Sequence, residues 1–135
     1  MLTNTQIRNY CKKVWDIATA DGHITWAPDD SQFISAFRNY MKAIAKANGW
    51  EILDYKSHPY CEFTCFFKKG DRYIYVASGD YRDWSYAFVG ANRILFRDAR
   101  SDKDYRGGVN NYCNLEEIEA KVNERFNKEP WYGGW

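Results

Sequence analysis

The chain lacks a large excess of charge of either sign, and it lacks long apolar runs. Its 135 residues carry 19 Lys and Arg against 18 Asp and Glu, a formal net charge of +1. So small a net charge does not indicate the strongly positive surface that general nucleic-acid binding needs. It equally disfavours an acidic mimic of DNA. The longest uncharged runs, such as residues 84–92, fall far short of the roughly 20 residues that a membrane helix needs. We therefore expect no membrane partner.

The N-terminus lacks a basic segment followed by an apolar stretch, which is the pattern of a secretory signal. We therefore expect a cytoplasmic protein. Thiols stay reduced in that compartment. The four cysteines are accordingly expected to be free: Cys11, Cys61, Cys65 and Cys113.

Metal ligands and catalytic bases are scarce, because the only histidines are His23 and His58. Cys61 and Cys65 follow His58 closely, but four strand residues span about 13 Å at roughly 3.3 Å per residue. One zinc ion, with bonds of about 2.3 Å to sulfur, cannot reach both thiols. The chain also has no Walker motif, no dinucleotide fingerprint and no Cys–His signature. The sequence therefore predicts no metal, no cofactor and no catalytic residue.

Aromatic residues are abundant instead. Eight Phe, six Trp and eleven Tyr outnumber the 18 Ile, Leu and Val. Most of these rings are expected to pack in the core, where aromatic side chains bury large areas. Interfaces between proteins are also rich in Tyr, Trp and Arg. Because eleven Tyr in so short a chain cannot all be buried, we expect some of them on a contact surface.

Three segments have the spacing and the end signals of helices. Residues 7–18 carry apolar side chains at helical spacing after an N-cap at residues 3–5. Residues 31–48 combine an N-cap, an apolar stripe and a glycine stop at Gly49. After Asn114, Glu117 completes a capping box. The stripe of this last helix is Leu115, Ile118, Val122 and Phe126.

Residues 50–57, 60–67, 72–78 and 92–97 are predicted to be strands, and the middle two form a hairpin. Helices and strands are segregated along the chain, so the sequence predicts an α+β fold. We expect a mostly antiparallel sheet of three to four strands, two N-terminal helices and one C-terminal helix. Residues 1–135 are expected to form a single domain, with a tail, residues 128–135, that either docks on the body or is flexible.

A long polar segment, residues 97–112, follows the last predicted strand. Long loops in compact domains tend to be either functional or disordered. Aromatic anchors at Tyr105 and Tyr112 favour an ordered segment. Two interpretations stay open: a functional loop, or a loop that folds over the sheet edge and stabilises it.

Six residues are the predicted contacts of a protein-binding surface, because arginine and aromatic side chains dominate the binding energy of interfaces. They are Tyr81, Arg82, Trp84, Arg100, Tyr105 and Arg106.

Two other functions remain open. Asp98, Asp102 and Asp104 with Arg106 could form the site of a small hydrolase acting on a nucleotide or nucleic acid. The arginine would hold phosphate, and the carboxylates would hold a metal or act as a base. Alternatively, aromatic residues on the second face of the sheet could stack the bases of single-stranded nucleic acid.

Three segments together resemble small proteins encoded by phages and mobile elements of Gram-positive bacteria. They are Asn48-Gly49-Trp50-Glu51, Tyr73-Ile74-Tyr75-Val76 and the segment from Lys103 to Tyr112 (KDYRGGVNNY). The resemblance spans roughly residues 40–126 and assigns a role to no residue. It implies a genomic setting in which short single-domain proteins often inhibit host defence, as anti-CRISPR proteins do. The sequence-based hypothesis is therefore an inhibitor that occupies a surface of a CRISPR effector or another defence nuclease.

Overall fold

The computed structural model describes residue 9 and residues 31–57, 63–78, 94–106, 108–113 and 117–132. Within these residues lie two helices, α1 (Ser31–Asn48) and α2 (Ile118–Phe126). They also contain five strands: β1 (Glu51–Ser57), β2 (Phe63–Lys69), β3 (Arg72–Ser78), β4 (Ile94–Ala99) and β5 (Asn111–Cys113).

The five strands form one antiparallel sheet in the order β1-β2-β3-β4-β5. The predicted α+β class is confirmed, but the sheet has five strands where three to four were expected. The additional strand, β5, lies at the end of the segment that was predicted to be a polar loop. Three residues are too few to show the alternation that identifies a strand in sequence. The first predicted helix lies outside the described residues, apart from Asn9.

The stop signal of α1 is confirmed in the backbone. Gly49 has a φ of 71°, in the left-handed region that glycine adopts without a steric penalty. Its N–H donates to the Lys46 carbonyl at 3.3 Å, and the Trp50 N–H donates to the Ala45 carbonyl at 2.9 Å. These two bonds satisfy carbonyls at the end of the helix and turn the chain into β1.

The start of α2 differs from the prediction. The helix begins at Ile118, and its N-cap is Glu117, whose side chain makes no capping hydrogen bond. The predicted cap, Asn114, lies outside the described residues. The stripe is confirmed where it is described, because Ile118, Val122 and Phe126 are all buried.

The core lies between the helices and one face of the sheet, and it is built largely from aromatic rings. Phe37 of α1 packs on Phe63 of β2 with ring centroids 5.3 Å apart. Trp50 lies between Phe67 and Phe126, at 5.3 Å and 5.2 Å. Phe63, Cys65 and Phe67 share this face and are completely or almost completely buried, as their alternation predicts.

A register shift in β1 decides which of its side chains reach the core. The pairing with β2 shifts between Leu53 and Lys56, and Asp54 within the shift has a φ of 52°. Such a bulge inserts an extra residue and reverses the alternation beyond it. Tyr55 therefore faces the core, where its ring stacks on Phe63 at 5.5 Å, and Lys56 faces the opposite side.

Among the described residues, no helix is long and apolar enough to cross a membrane.

Candidate protein-binding surface

The face of the sheet that points away from the helices is covered by protein along one row of side chains. Phe66 pairs with Tyr75, and Tyr75 pairs with Arg97, so the three side chains lie side by side on this face. Phe66 is fully buried and Arg97 is 2 % exposed. We call residues 100–110, excluding the undescribed residue 107, the covering loop, because they return across this row between β4 and β5.

Tyr105 is the residue of the covering loop that packs on the sheet. Its ring meets Phe66 edge-on at 5.2 Å and Tyr75 edge-on at 5.9 Å. The Lys56 ammonium lies 4.9 Å from the ring centroid and donates a hydrogen bond of 3.1 Å to the Tyr105 hydroxyl. Tyr105 remains 39 % exposed, so it packs on the sheet and is still partly accessible to solvent.

The Arg97 side chain, on β4, bonds to the covering loop. Its guanidinium lies 4.6 Å from the centroid of Tyr75 and donates to the Asp104 carbonyl at 2.7 Å. Burial lowers the pKa of Arg97, and the negative charge of Asp104 opposes that shift. The Asp104 carboxylate also accepts the Arg100 N–H at 2.9 Å. The charged groups of Arg97 and Asp104 also form an ion pair at 3.9 Å. The loop is therefore fixed to the sheet by this ion pair, by a hydrogen bond and by the packed ring of Tyr105.

Two predicted contact arginines, Arg100 and Arg106, lie on the covering loop with exposed side chains. The Arg100 guanidinium stacks over the Tyr132 ring at 4.6 Å and lies 3.9 Å from the Asp104 carboxylate. The structure thus places Arg100, Tyr105 and Arg106 on one loop. The other three predicted contact residues, Tyr81, Arg82 and Trp84, lie outside the described part of the chain.

Some large exposed side chains were not among the predicted contacts: Val109 (42 %), Tyr112 (57 %) and Trp131 (54 %). Tyr112 pairs with Leu95 across β4 and β5 and therefore lies on the same face of the sheet as Arg97. Tyr112 is exposed because β5 directs its side chain to the face of the sheet away from the helices. Its exposure could be predicted only if β5 were recognised as a strand. The sequence had indicated Tyr112 as an anchor of the loop.

Two of the carboxylates proposed for a hydrolase, Asp98 and Asp104, lie on opposite faces of the sheet. Asp98 and Arg97 are consecutive in β4, so their side chains lie on opposite faces of the sheet. Asp98 faces α2, where Arg72, Arg125 and the Trp131 N–H occupy its two oxygens. Asp104 is on the other side, bonded to the covering loop. Within the described residues no group of three His, Cys, Asp or Glu could hold a metal ion.

The sheet offers little open surface for stacking bases. Phe66 is fully buried, and Tyr75 is flanked by Arg97 and Tyr105. Tyr73 is half-buried and has the Lys68 ammonium 5.5 Å from its ring centroid. The covering loop thus occupies the middle of the face that a single strand would use.

No family model, no curated protein and no solved structure matches this chain.

Proposed function

We propose that the protein acts by binding a surface of a partner protein, and that the covering loop with the adjoining face of the sheet is its contact surface. One observation carries this proposal: Tyr105 and Tyr112 are both substantially exposed on the same face of the sheet. Rigid, partly exposed tyrosines lose little conformational freedom on binding, which makes them effective contact residues. Arg100 and Arg106 on the same loop supply the second residue type favoured at interfaces.

The anchoring of the loop supports the same proposal. A loop held by Arg97, Asp104 and a buried ring contact needs little ordering when a partner arrives. A smaller ordering cost leaves more of the interaction energy as affinity. On this proposal the covering loop combines both interpretations that the sequence left open, because it packs on the sheet and also presents side chains to solvent.

The partner class that we propose is a bacterial defence nuclease such as a CRISPR effector, which the protein would inhibit by occluding a surface. This part rests only on the resemblance to small phage-encoded proteins. Tyr81, Arg82 and Trp84 belong to the proposed contact residues on the sequence alone.

A pull-down from a bacterial lysate rich in defence systems tests the proposal. The tagged protein should retain one stoichiometric protein, identified by mass spectrometry. The double variant Arg100→Ala/Arg106→Ala should lose most of it. The control Lys42→Ala/Lys46→Ala removes the same charge from exposed positions of α1 and should retain the partner fully.

The outcomes separate the two parts of the proposal. Absence of a stoichiometric partner, or equal retention by both double variants, would overturn the contact surface. A partner that is lost only in the arginine variant but is not a defence nuclease would leave the surface intact and overturn the partner class. A plasmid-interference assay with the captured nuclease then checks inhibition directly.

A further inference from the structure

The residues that follow α2 are fixed to the body of the protein through their backbone. The Glu129 carbonyl accepts a hydrogen bond of 3.1 Å from the Arg125 guanidinium. The Trp131 N–H donates to the buried Asp98 carboxylate at 2.9 Å. We call residues 128–132 the docked tail. Its course is set by main-chain hydrogen bonds, which do not depend on the Trp131 side chain.

Trp131 exposes its side chain on this fixed backbone. The residue is 54 % exposed, whereas tryptophan is highly buried on average in folded proteins. Covering an indole removes a large apolar area from water, and tryptophan is enriched among the residues that dominate binding energy. A backbone that is already held in place loses little freedom when a partner covers the ring. Trp131 therefore has the properties of a contact residue.

Tyr132 connects the docked tail to the covering loop. The Arg100 guanidinium lies 4.6 Å from the centroid of the Tyr132 ring, and the Arg100 side chain is still 58 % exposed. A guanidinium stacked on a ring keeps N–H donors at its edge, where a carboxylate can accept two of them. Trp131 and Arg100 are thus both next to Tyr132, and the docked tail continues the proposed contact surface.

The exposed charges of the covering loop are positive: Arg100, Lys103 and Arg106. Its carboxylates are less accessible, because the Asp104 side chain is only 13 % exposed and Asp102 is half-buried. Glu129 of the docked tail is exposed, but it leaves the cations in excess. A surface of this kind favours a partner that presents carboxylates.

We propose that Trp131 inserts into an apolar pocket on the partner protein, and that Arg100 pairs with a carboxylate at the rim of that pocket. The inference rests on the proposed function, because it extends the same contact surface from the covering loop to the docked tail. Nucleic acid would also complement the cations, but it stacks on successive open rings. The ring next to Trp131, that of Tyr132, is half-buried and already covered by Arg100, which favours a protein.

Calorimetric titration tests the proposal, and the probe is the purified protein that the wild type retains in the pull-down. Trp131→Ala should weaken binding about 30-fold, the effect of losing a central aromatic contact. Trp131→Phe should recover part of that loss. Arg100→Ala should weaken binding about tenfold at about 0.1 M salt and clearly less at about 0.5 M, because salt screens an ion pair. The loss in Trp131→Ala should persist at the higher salt concentration.

Two controls separate a lost contact from a damaged fold. Lys42→Ala removes an exposed side chain from α1 and should leave the affinity unchanged. The urea midpoint of Trp131→Ala should equal that of the wild type, because the variant keeps the N–H that donates to Asp98.

The outcomes distinguish this inference from the proposed function. Full affinity of Trp131→Ala, together with a loss in Arg100→Ala/Arg106→Ala, would overturn the role of the docked tail and leave the proposed function intact. An Arg100→Ala loss that is equal at both salt concentrations would overturn the carboxylate. Tight binding of a single-stranded DNA oligonucleotide that is lost in Trp131→Ala would overturn the protein partner. Retention of no protein would overturn the proposed function itself, and this inference with it.

Discussion

Arg72 on β3 donates a hydrogen bond of 3.1 Å to the buried carboxylate of Asp98 on β4. The same guanidinium donates to three carbonyls at the end of α2: Arg125 at 3.0 Å, Phe126 at 3.4 Å and Lys128 at 2.8 Å. Asp98 is also bonded to Arg125 and to the Trp131 N–H. Two ion pairs that share Asp98 thus join the sheet, the end of the last described helix and the first part of the tail.

Replacing Asp98 by Asn should destabilise the protein by roughly 3 kcal/mol, because removing one partner of a buried ion pair leaves the others uncompensated. Urea unfolding measured by circular dichroism gives this free energy. The matched control is Glu124→Gln, which breaks an ion pair whose two side chains are more than half exposed. That control should not change stability measurably. Equal stabilities of the two variants would show that Asp98 does not hold these elements together.

Gly108 should be the glycine of the covering loop that tolerates no side chain. It has a φ of 75°, and an added Cβ would lie 2.9 Å from the Asp98 carbonyl oxygen. Gly108→Ala therefore combines a backbone penalty of about 1–2 kcal/mol with a clash of about 1 kcal/mol or more. Gly70→Ala is the control, because Gly70 has a φ of 62° and open space around it. In thermal unfolding, Gly108→Ala should lower Tm clearly more than Gly70→Ala. A smaller effect at Gly108 would mean that the loop does not approach β4 so closely.

The fold could be predicted where local signals agree with one another. α1 has an apolar stripe and a glycine stop, and the hairpin of β2 and β3 combines alternation with a turn at Gly70. β5 could not be predicted, because its pairing with β4 is a tertiary contact between residues about 15 to 19 positions apart in the chain. Its three residues carry no periodicity of their own.

The candidate protein-binding surface could be predicted only in part, because some of its residues are also positioned by tertiary contacts. The sequence indicated an ordered loop with an aromatic anchor at Tyr105, and that residue does pack on the sheet. The predicted strand ended at Arg97, whereas β4 continues to Ala99. Those two additional residues place Asp98 in the interior, where it pairs with Arg72 and Arg125 from distant segments. Alternating charges in a sequence do not reveal such pairs, because the same pattern is typical of a solvated surface.

Tyr105 and Tyr112 should contribute differently to the free energy of unfolding. Tyr105→Ala should lower the free energy of unfolding by about 1–2 kcal/mol, because the ring packs edge-on against Phe66 and Tyr75. Tyr112→Ala should change it by less than about 0.5 kcal/mol, because that side chain is mostly exposed. Chemical unfolding of both variants checks this order. A reversed order would mean that Tyr105 is not the anchor of the covering loop.

Cys113 should make the protein less stable in alkaline solution. It is buried at the end of β5, and burial raises the pKa of its thiol to about 12 from the usual 9.0. Between these two values the unfolded chain releases the thiol proton and the folded chain keeps it. The unfolded state therefore binds fewer protons, and the free energy of unfolding falls as pH rises from about 9 towards 12.

Cys113→Ala tests that assignment, because it removes the titrating group and leaves the aromatic core in place. Urea unfolding of the wild type and the variant, repeated at several pH values from 8 to 11, measures the slope. The stability of the variant should depend less steeply on pH above 9. Cys65 has a raised pKa from burial as well, so a residual slope is expected, and Cys65→Ala/Cys113→Ala should flatten it further. Parallel slopes in all three proteins would mean that neither thiol stays protonated in the folded state at high pH.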